Sequence, residues 1–451
     1  MKWLRDSIRV AVLLVLFAGP LAIGAVHEPV FIPMIGVIYL AGFASWGHGH
    51  WARSHGRGVP VVPGRGWLLA FHALVLFQLL PLPQPVLTLL SPGSAAFHAS
   101  QGTTAWSPIT YSPQLTLRGL AFLVGMTLLY ATAFREFRAR RWRHRFVHVV
   151  VATGVLITIV ALVQSRSADP AKIYGLWKPH WDWAVFGPYV NSTHFAGYLI
   201  MPITLSIGLV LSAFDGFRDA WARRRKGWLA LFDPDGLAVL RRLALSMLLV
   251  VALLLASSRA ALAGFAIGCA VIVFAPRRRR AGAALVGVAV LALGLLWADF
   301  SGAMHGFRTR GVQDSRVDLW IDQAQLVPRH PVFGVGFNAL APAYAPVQNY
   351  RVENAFDQAH NEYLQMLLDA GILGLGLMLP LLLRLFATAL RLARGGGLAA
   401  GLGAAVFASA ANNFFSFNWQ IPANAATFFA LAGIVVGLAP FLDRGAPPDL
   451  E

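Results

Sequence analysis

The chain has 451 residues, of which 57% are hydrophobic and only 13% charged, and its mean hydropathy is +0.61. Soluble domains carry about 25% charged residues, so a shortage spread along the whole length excludes a soluble globular protein and points to an all-α, polytopic membrane protein. The formal net charge of +17 would suggest nucleic acid in a soluble chain. Here the basic clusters lack any nucleic-acid motif, so no such partner is expected.

The N-terminal "MKWLRDSIRVAVLLVLFAGPLAIGAV" has the charge and apolar run of a signal peptide, but further apolar runs follow at once, so it reads as a retained first span. Stretches of about 17–25 apolar residues are long enough to cross a bilayer. Twelve are expected, at 9–26, 29–46, 67–83, 114–134, 146–164, 191–213, 242–257, 260–275, 281–299, 362–385, 397–415 and 425–442. Alternate connections, among them "REFRARRWRHR" and "PRRRR", together with the flanking Arg384 hold 27 of the 37 Lys and Arg. The positive-inside rule puts that set, with both termini, in the cytoplasm. The outward loops are then 84–113, 165–190, 300–361 and a short 416–424. The chain reads as one membrane domain, 1–451, with 300–361 a long loop between spans nine and ten. The single cysteine, Cys269, excludes an intramolecular disulfide and a CxxC metal site.

In the second outward loop, "FGPYVNSTHFAGYL" sets Asn191 and His194 just before the sixth span. Helix capping and a polar pocket rim that binds sugar are both open readings. Next comes "LLLASSRAALAGF", where Arg259 sits at an outer turn between two apolar runs with no adjacent acid. An ionised Arg at membrane depth is costly unless it snorkels, pairs or lines a wet cavity, and a guanidinium fork matches phosphate. In the long loop, "DSRVDLWIDQAQLV" repeats Val317, Trp320, Ile321, Ala324 and Val327 at helical spacing. It predicts an amphipathic helix capped at Ser315, lying on the outer membrane face or on the bundle. Arg316, with Arg308 and Arg310 before it, is a phosphate contact or pairs locally with Asp314, Asp318 and Asp322, which in principle could instead gather a cation. "HPVFGVGF" is too short for a dinucleotide fingerprint, and no strand precedes it; its glycines suit a turn. Finally "AHNEYLQ" puts His360 and Asn361 at the mouth of span ten. A histidine there is a polar cap or a general base, since its ordinary pKa near 6.5 permits either role.

Taken together, "SSRAALAGF", "SRVDLW…HPVFGVGFNAL" and "AHNEYLQMLLDAGILGLGL" resemble the O-antigen ligase and O-antigen polymerase superfamily, and the resemblance extends over essentially the whole chain. It implies a GT-C-like, all-helical membrane glycosyltransferase in the bacterial inner membrane with its active site on the periplasmic side. The reaction it implies is inverting and independent of metal or other cofactor. A glycan passes from undecaprenyl diphosphate to an acceptor hydroxyl, on lipid A-core in ligases or on a second lipid-linked glycan in polymerases, with membrane lipids around the protein. Carried over position by position, Arg259 and Arg316 match diphosphate-binding arginines and His360 the general base. Asn191, His194, Asn361, Arg308 and Arg310 are further candidates for substrate contact. His360 and Arg259 should then face one cavity near the outer leaflet. A transporter is the competing class, but the unusual polar residues gather at one face rather than at the midplane that transporters use.

Overall fold

The computed structural model describes residues 2–103, 105–179, 184–224, 231–275, 316–352 and 355–443. The expected ninth span, Arg308, Arg310, Asp314 and Ser315 lie outside the described residues. The other eleven apolar segments each coincide with a helix: α1 (Lys2–Leu21), α2 (Glu28–Ser54), α3 (Arg65–Leu79), then, after two short helices α4 (Gln84–Leu90) and α5 (Pro92–Ser100), α6 (Pro113–Glu136), α7 (Arg140–Ser165), α8 (Ser192–Arg224), α9 (Pro234–Leu255) and α10 (Arg259–Phe274). Beyond the long loop's own helices, α11 (Arg316–Ala324) and α12 (Leu340–Tyr344), come α13 (Glu362–Ala393), α14 (Gly397–Asn412), α15 (Pro422–Gly437) and the short α16 (Ala439–Asp443). The strands among the described residues are a two-residue pair, Leu82–Pro83 with Trp106–Ser107.

The protein is an all-α membrane protein. Among the described residues seven helices are long and apolar enough to cross a membrane, and α3, α10 and α14 are shorter apolar helices. The core is built on α8 and α14, whose sequences supply small residues where backbones must approach. Gly208 of α8 faces Gly401 of α14 so closely that a Cβ on either would lie 2.9 Å from the other's Cα. Small residues at such contacts are how helices gain packing energy in lipid, where apolar side chains have no hydrophobic incentive to associate.

One long helix is broken. Gly371, inside α13, has φ 66° and ψ −169°, a conformation open essentially to glycine. The second piece, residues 372–393, is roughly 33 Å long at 1.5 Å per residue, which by itself covers a hydrocarbon core of about 30 Å. The break is held by "HPVFGVGF". Ile372 N–H donates to Pro331 O at 2.9 Å, Val335 N–H to Leu368 O at 2.8 Å and Gly336 N–H to Asp369 O at 3.1 Å. The glycines of this stretch thus do more than turn: a Cβ on Gly334 would meet the Asp369 carbonyl carbon at 2.4 Å.

Among the described residues, basic side chains of α1 meet the C-terminal end of α6, beside α7. There Glu136, closing α6, takes Arg5 at 2.9 Å and the buried Arg9 at 3.3 Å, and Arg9 lies over the Trp142 ring of α7. The opposite end of α6 abuts Phe337 and Asn338 of the long loop.

Candidate functional site

The site forms at that second end, where α13 begins. Asn361 is extended and its Oδ1 accepts from Tyr363 N–H at 3.0 Å and Leu364 N–H at 3.1 Å, satisfying two of the donors every helix start leaves open. Asn361 is thus the N-cap of α13. His360, one residue earlier, is held in the left-handed region at φ 52°, an uncommon state for a histidine. Its neighbours are fixed as well: Ala359 N–H donates to Gln365 Oε1 at 2.7 Å, and Trp320 Nε1 of α11 donates to Ala359 O at 2.9 Å.

The turn between α14 and α15, "NNFFSFNWQ", organises the other partners. Phe417 meets the His360 ring at 4.7 Å and the His194 ring at 4.8 Å, both T-shaped. His194 comes from the first turn of α8 and is buried, with Nδ1 lacking a hydrogen-bond partner. Asn191 is engaged locally, its Oδ1 accepting from Thr193 N–H at 2.8 Å. Arg316, opening α11, donates from Nη1 to the Phe415 carbonyl. The turn itself is stiffened by amides: Asn418 N–H donates to Asn413 Oδ1, and Asn424 Nδ2 donates to both Asn418 Oδ1 and His194 O, at 2.7–3.0 Å. Gly197 of α8 makes room for it, since a Cβ there would lie 2.3 Å from Asn418 Nδ2.

The electrostatics at His360 follow from this packing. Burial first, then the nearby Arg316 charge and His194, push its pKa down from the usual 6.5 to about 3. The imidazole is therefore neutral at ordinary pH, with a lone pair available to accept a proton.

Of the residues expected from sequence, the structure thus brings His360, His194, Asn361 and Arg316 together. Arg259 stands exposed at the first position of α10, after Ser257 at φ 53° and the cap Ser258, whose Oγ accepts from Ala261 N–H. Because Gly264 packs on Ala408 and Asn412, α10 runs antiparallel to α14. Arg259 therefore lies at the same end as the Phe415–Phe417 turn. The large cavity of the described residues, about 810 Å³, is lined by neither Arg259 nor His360, so that cavity is not the shared one anticipated. On α11, Leu319 and Gln323 pack inward, while Val317 and Ile321 are 53% and 68% exposed. Asp369 accepts from Asn338 N–H and Gln365 Nε2, both at 3.0 Å. Asp322 binds Tyr344 Oη and the backbone of Asn349 and Tyr350, which leaves it tied to a turn. Among the described residues no group of three potential ligands for a metal ion occurs.

Sequence reasoning treated 416–424 only as a short loop and missed Phe417, Asn418 and Asn424. The available signal was four asparagines and a glutamine packed between two apolar runs.

The fold and this polar end define an integral membrane protein with its chemistry concentrated where helices emerge. Residues 244–379 match the family described as O-antigen ligase, Wzy_C, which supports for that segment the resemblance read from the sequence. The matched segment contains Arg259, Arg316 and His360, and ends just past the Gly371 break. No curated protein matches the chain.

Proposed function

We propose that the protein is an inner-membrane glycosyltransferase of the ligase type, moving a glycan from undecaprenyl diphosphate to a hydroxyl of lipid A-core at the periplasmic face. The observation that supports this most is the convergence of His360, His194 and Arg316 on one aromatic turn, at the end of the bundle opposite the basic side chains of α1. On this reading the basic end is cytoplasmic, both termini lie there, the helices make about twelve spans in a GT-C-like arrangement, and 300–361 is a periplasmic loop.

The acceptor hydroxyl attacks the anomeric carbon as its bond to the diphosphate oxygen breaks. The hydroxyl proton passes to the His360 lone pair, the electron pair leaves with undecaprenyl diphosphate, and the configuration inverts. Arg316 and Arg259 stabilise the charge that builds on the phosphate oxygens, which a preorganised, water-poor site does far better than bulk solvent. His194 and the amides of Asn191 and Asn361 orient the sugars, and Arg308 and Arg310 extend the anion contact. No metal or cofactor enters this scheme.

The test is reconstitution of the full chain with a purified undecaprenyl-diphosphate glycan, first with lipid A-core and then without it. Transfer to lipid A-core, lost in His360→Ala at equal protein level, is expected. Ladders formed from the donor alone identify a polymerase instead, and undiminished transfer by His360→Ala removes it as the base.

A further inference from the structure

The 810 Å³ groove lies between α2, α3, α6, α13 and α15, beside the residues of the proposed transfer rather than among them. Phe417 is its boundary: the ring lines the groove and also contacts both histidines. The walls are apolar, with Phe122 and Met126 from α6 opposite Leu381 and Leu382 from α13. The stretch of α6 along it, Arg118 to Tyr130, measures roughly 18 Å. Its lining residue Ile32 is 60% exposed, so the groove is open sideways, where lipid would stand.

The mouth has a different chemistry. It presents Asp357, Gln358 and Glu362. Arg118, the cation at this mouth among the described residues, is already paired with Glu28 at 3.7 Å. Gln358 Oε1 is buried and meets no donor. Arg384 lines the far end, about six helical turns along α13 from Glu362. Such a mouth suits hydroxyls and amides, and among the described residues it offers a diphosphate no cation besides Arg118, which lies 3.7 Å from Glu28. A polyprenyl chain is joined directly to its diphosphate, so seating that chain here would leave the phosphates among carboxyls. A fatty-acyl chain is joined to its sugar through a neutral ester or amide, which this mouth can satisfy.

We propose that the groove between α2, α3, α6, α13 and α15 seats a fatty-acyl chain of the acceptor glycolipid, with the neutral linkage and sugar hydroxyls held at Gln358 and Glu362. The proposal rests on the transferase reading. It adds that acceptor and donor approach from opposite sides of Phe417, as displacement of a leaving group from the far face of the sugar requires.

The experiment uses the full-length protein in detergent and measures binding by native mass spectrometry with three probes: an acylated disaccharide lipid, undecaprenyl diphosphate and phosphatidylethanolamine. Thr127→Trp and Leu382→Trp fill the groove from opposite walls, and Gln358→Leu alters the mouth alone. Each tryptophan variant should weaken the acylated disaccharide roughly tenfold, the equivalent of about two buried methylenes, and leave undecaprenyl diphosphate unchanged. Gln358→Leu should weaken the same probe without filling the groove, which separates the effect from misfolding. Loss of undecaprenyl diphosphate instead assigns the groove to the donor and overturns the proposal, as do unchanged binding of the acylated disaccharide and equal competition by phosphatidylethanolamine. Transfer to a soluble acceptor sugar is measured in parallel. If it is absent while the binding losses occur, the transferase reading fails and the groove assignment stands.

Discussion

Replacing Gly371 by alanine tests how the long loop is fastened to the membrane domain. At φ 66° and ψ −169° an L-residue is strained by about 1–3 kcal/mol. The new Cβ would also lie 2.2 Å from Val332 O and 2.3 Å from Val332 C, both backbone, so the neighbour cannot swing away. The nearest hydrogen bonds, Ile372 N–H to Pro331 O and Leu373 N–H to Val332 O, would open at about 0.5–1.5 kcal/mol each. Together these disfavour the docked loop by roughly 2–6 kcal/mol, and even 3 kcal/mol corresponds to more than 100-fold in the docking equilibrium. Amide hydrogen exchange reads this directly: protection of Val335, Gly336, Ile372 and Leu373 should fall by about two orders of magnitude, while α14 keeps its protection. Gly376→Ala is the control, because a Cβ there meets nothing within 4 Å in an otherwise helical segment. Wild-type protection in Gly371→Ala, or equal loosening in Gly376→Ala, would refute the idea that this glycine pins the loop.

Three further outcomes are expected. Arg316→Ala should cut transfer by about 10²–10³, the scale of removing one preorganised donor, and Arg316→Lys should recover only part of it because the fork is lost; full activity in the lysine variant would exclude bidentate recognition. Gly197→Ala forces a methyl group against Asn418 and should lower thermal stability in detergent by the equivalent of about 1–3 kcal/mol, the usual cost of overpacking; an unchanged melting profile would show that the amide turn yields freely. The pKa of His360 lies near 3, so lowering the pH from 8 to 5 never reaches its protonation and the neutral form persists. The profile of kcat/KM should accordingly be flat there, with the acidic limb of kcat lying at higher pH than that of kcat/KM. An inflection of kcat/KM near 6.5 would contradict the buried environment.

The helices were legible because apolar length is a local property: eleven expected segments coincide with helices, and only their ends moved. The break in α13 was not legible. "DAGILG" reads as a helix that tolerates glycine, and the need for φ 66° at Gly371 comes from "HPVFGVGF", some forty residues earlier in the chain. The helix α11 was legible as amphipathic from its spacing, but which of its side chains meet the protein was not: Trp320 and Leu319 turn toward the aromatic turn and the loop core, while Val317 and Ile321 stay exposed. For the site, Arg316, His194 and His360 stood out because polar groups at span mouths are costly without a purpose. Phe417 could not stand out, since an aromatic residue in an apolar chain has no signature until two histidines from distant parts of the chain meet on it. The asparagines beside it were visible, but their partners were not.

A neutral imidazole with a pKa near 3 is a weak base, and the causes of that weakness bear on when it acts. Burial and the Arg316 charge lead, with His194 third. On the proposed mechanism a diphosphate binds beside Arg316, and its negative charge offsets the cation that lowers His360. The same charge favours the imidazolium directly, since an opposite charge within about 4–6 Å stabilises the charged form. His360 then becomes a stronger base when the donor is present and remains a weak one in the empty site. The left-handed backbone at φ 52° and the Asn361 cap fix the main chain that carries the ring. Seen this way, the low pKa is consistent with a catalytic role, because the property that makes the free site a poor base is the one that donor binding reverses.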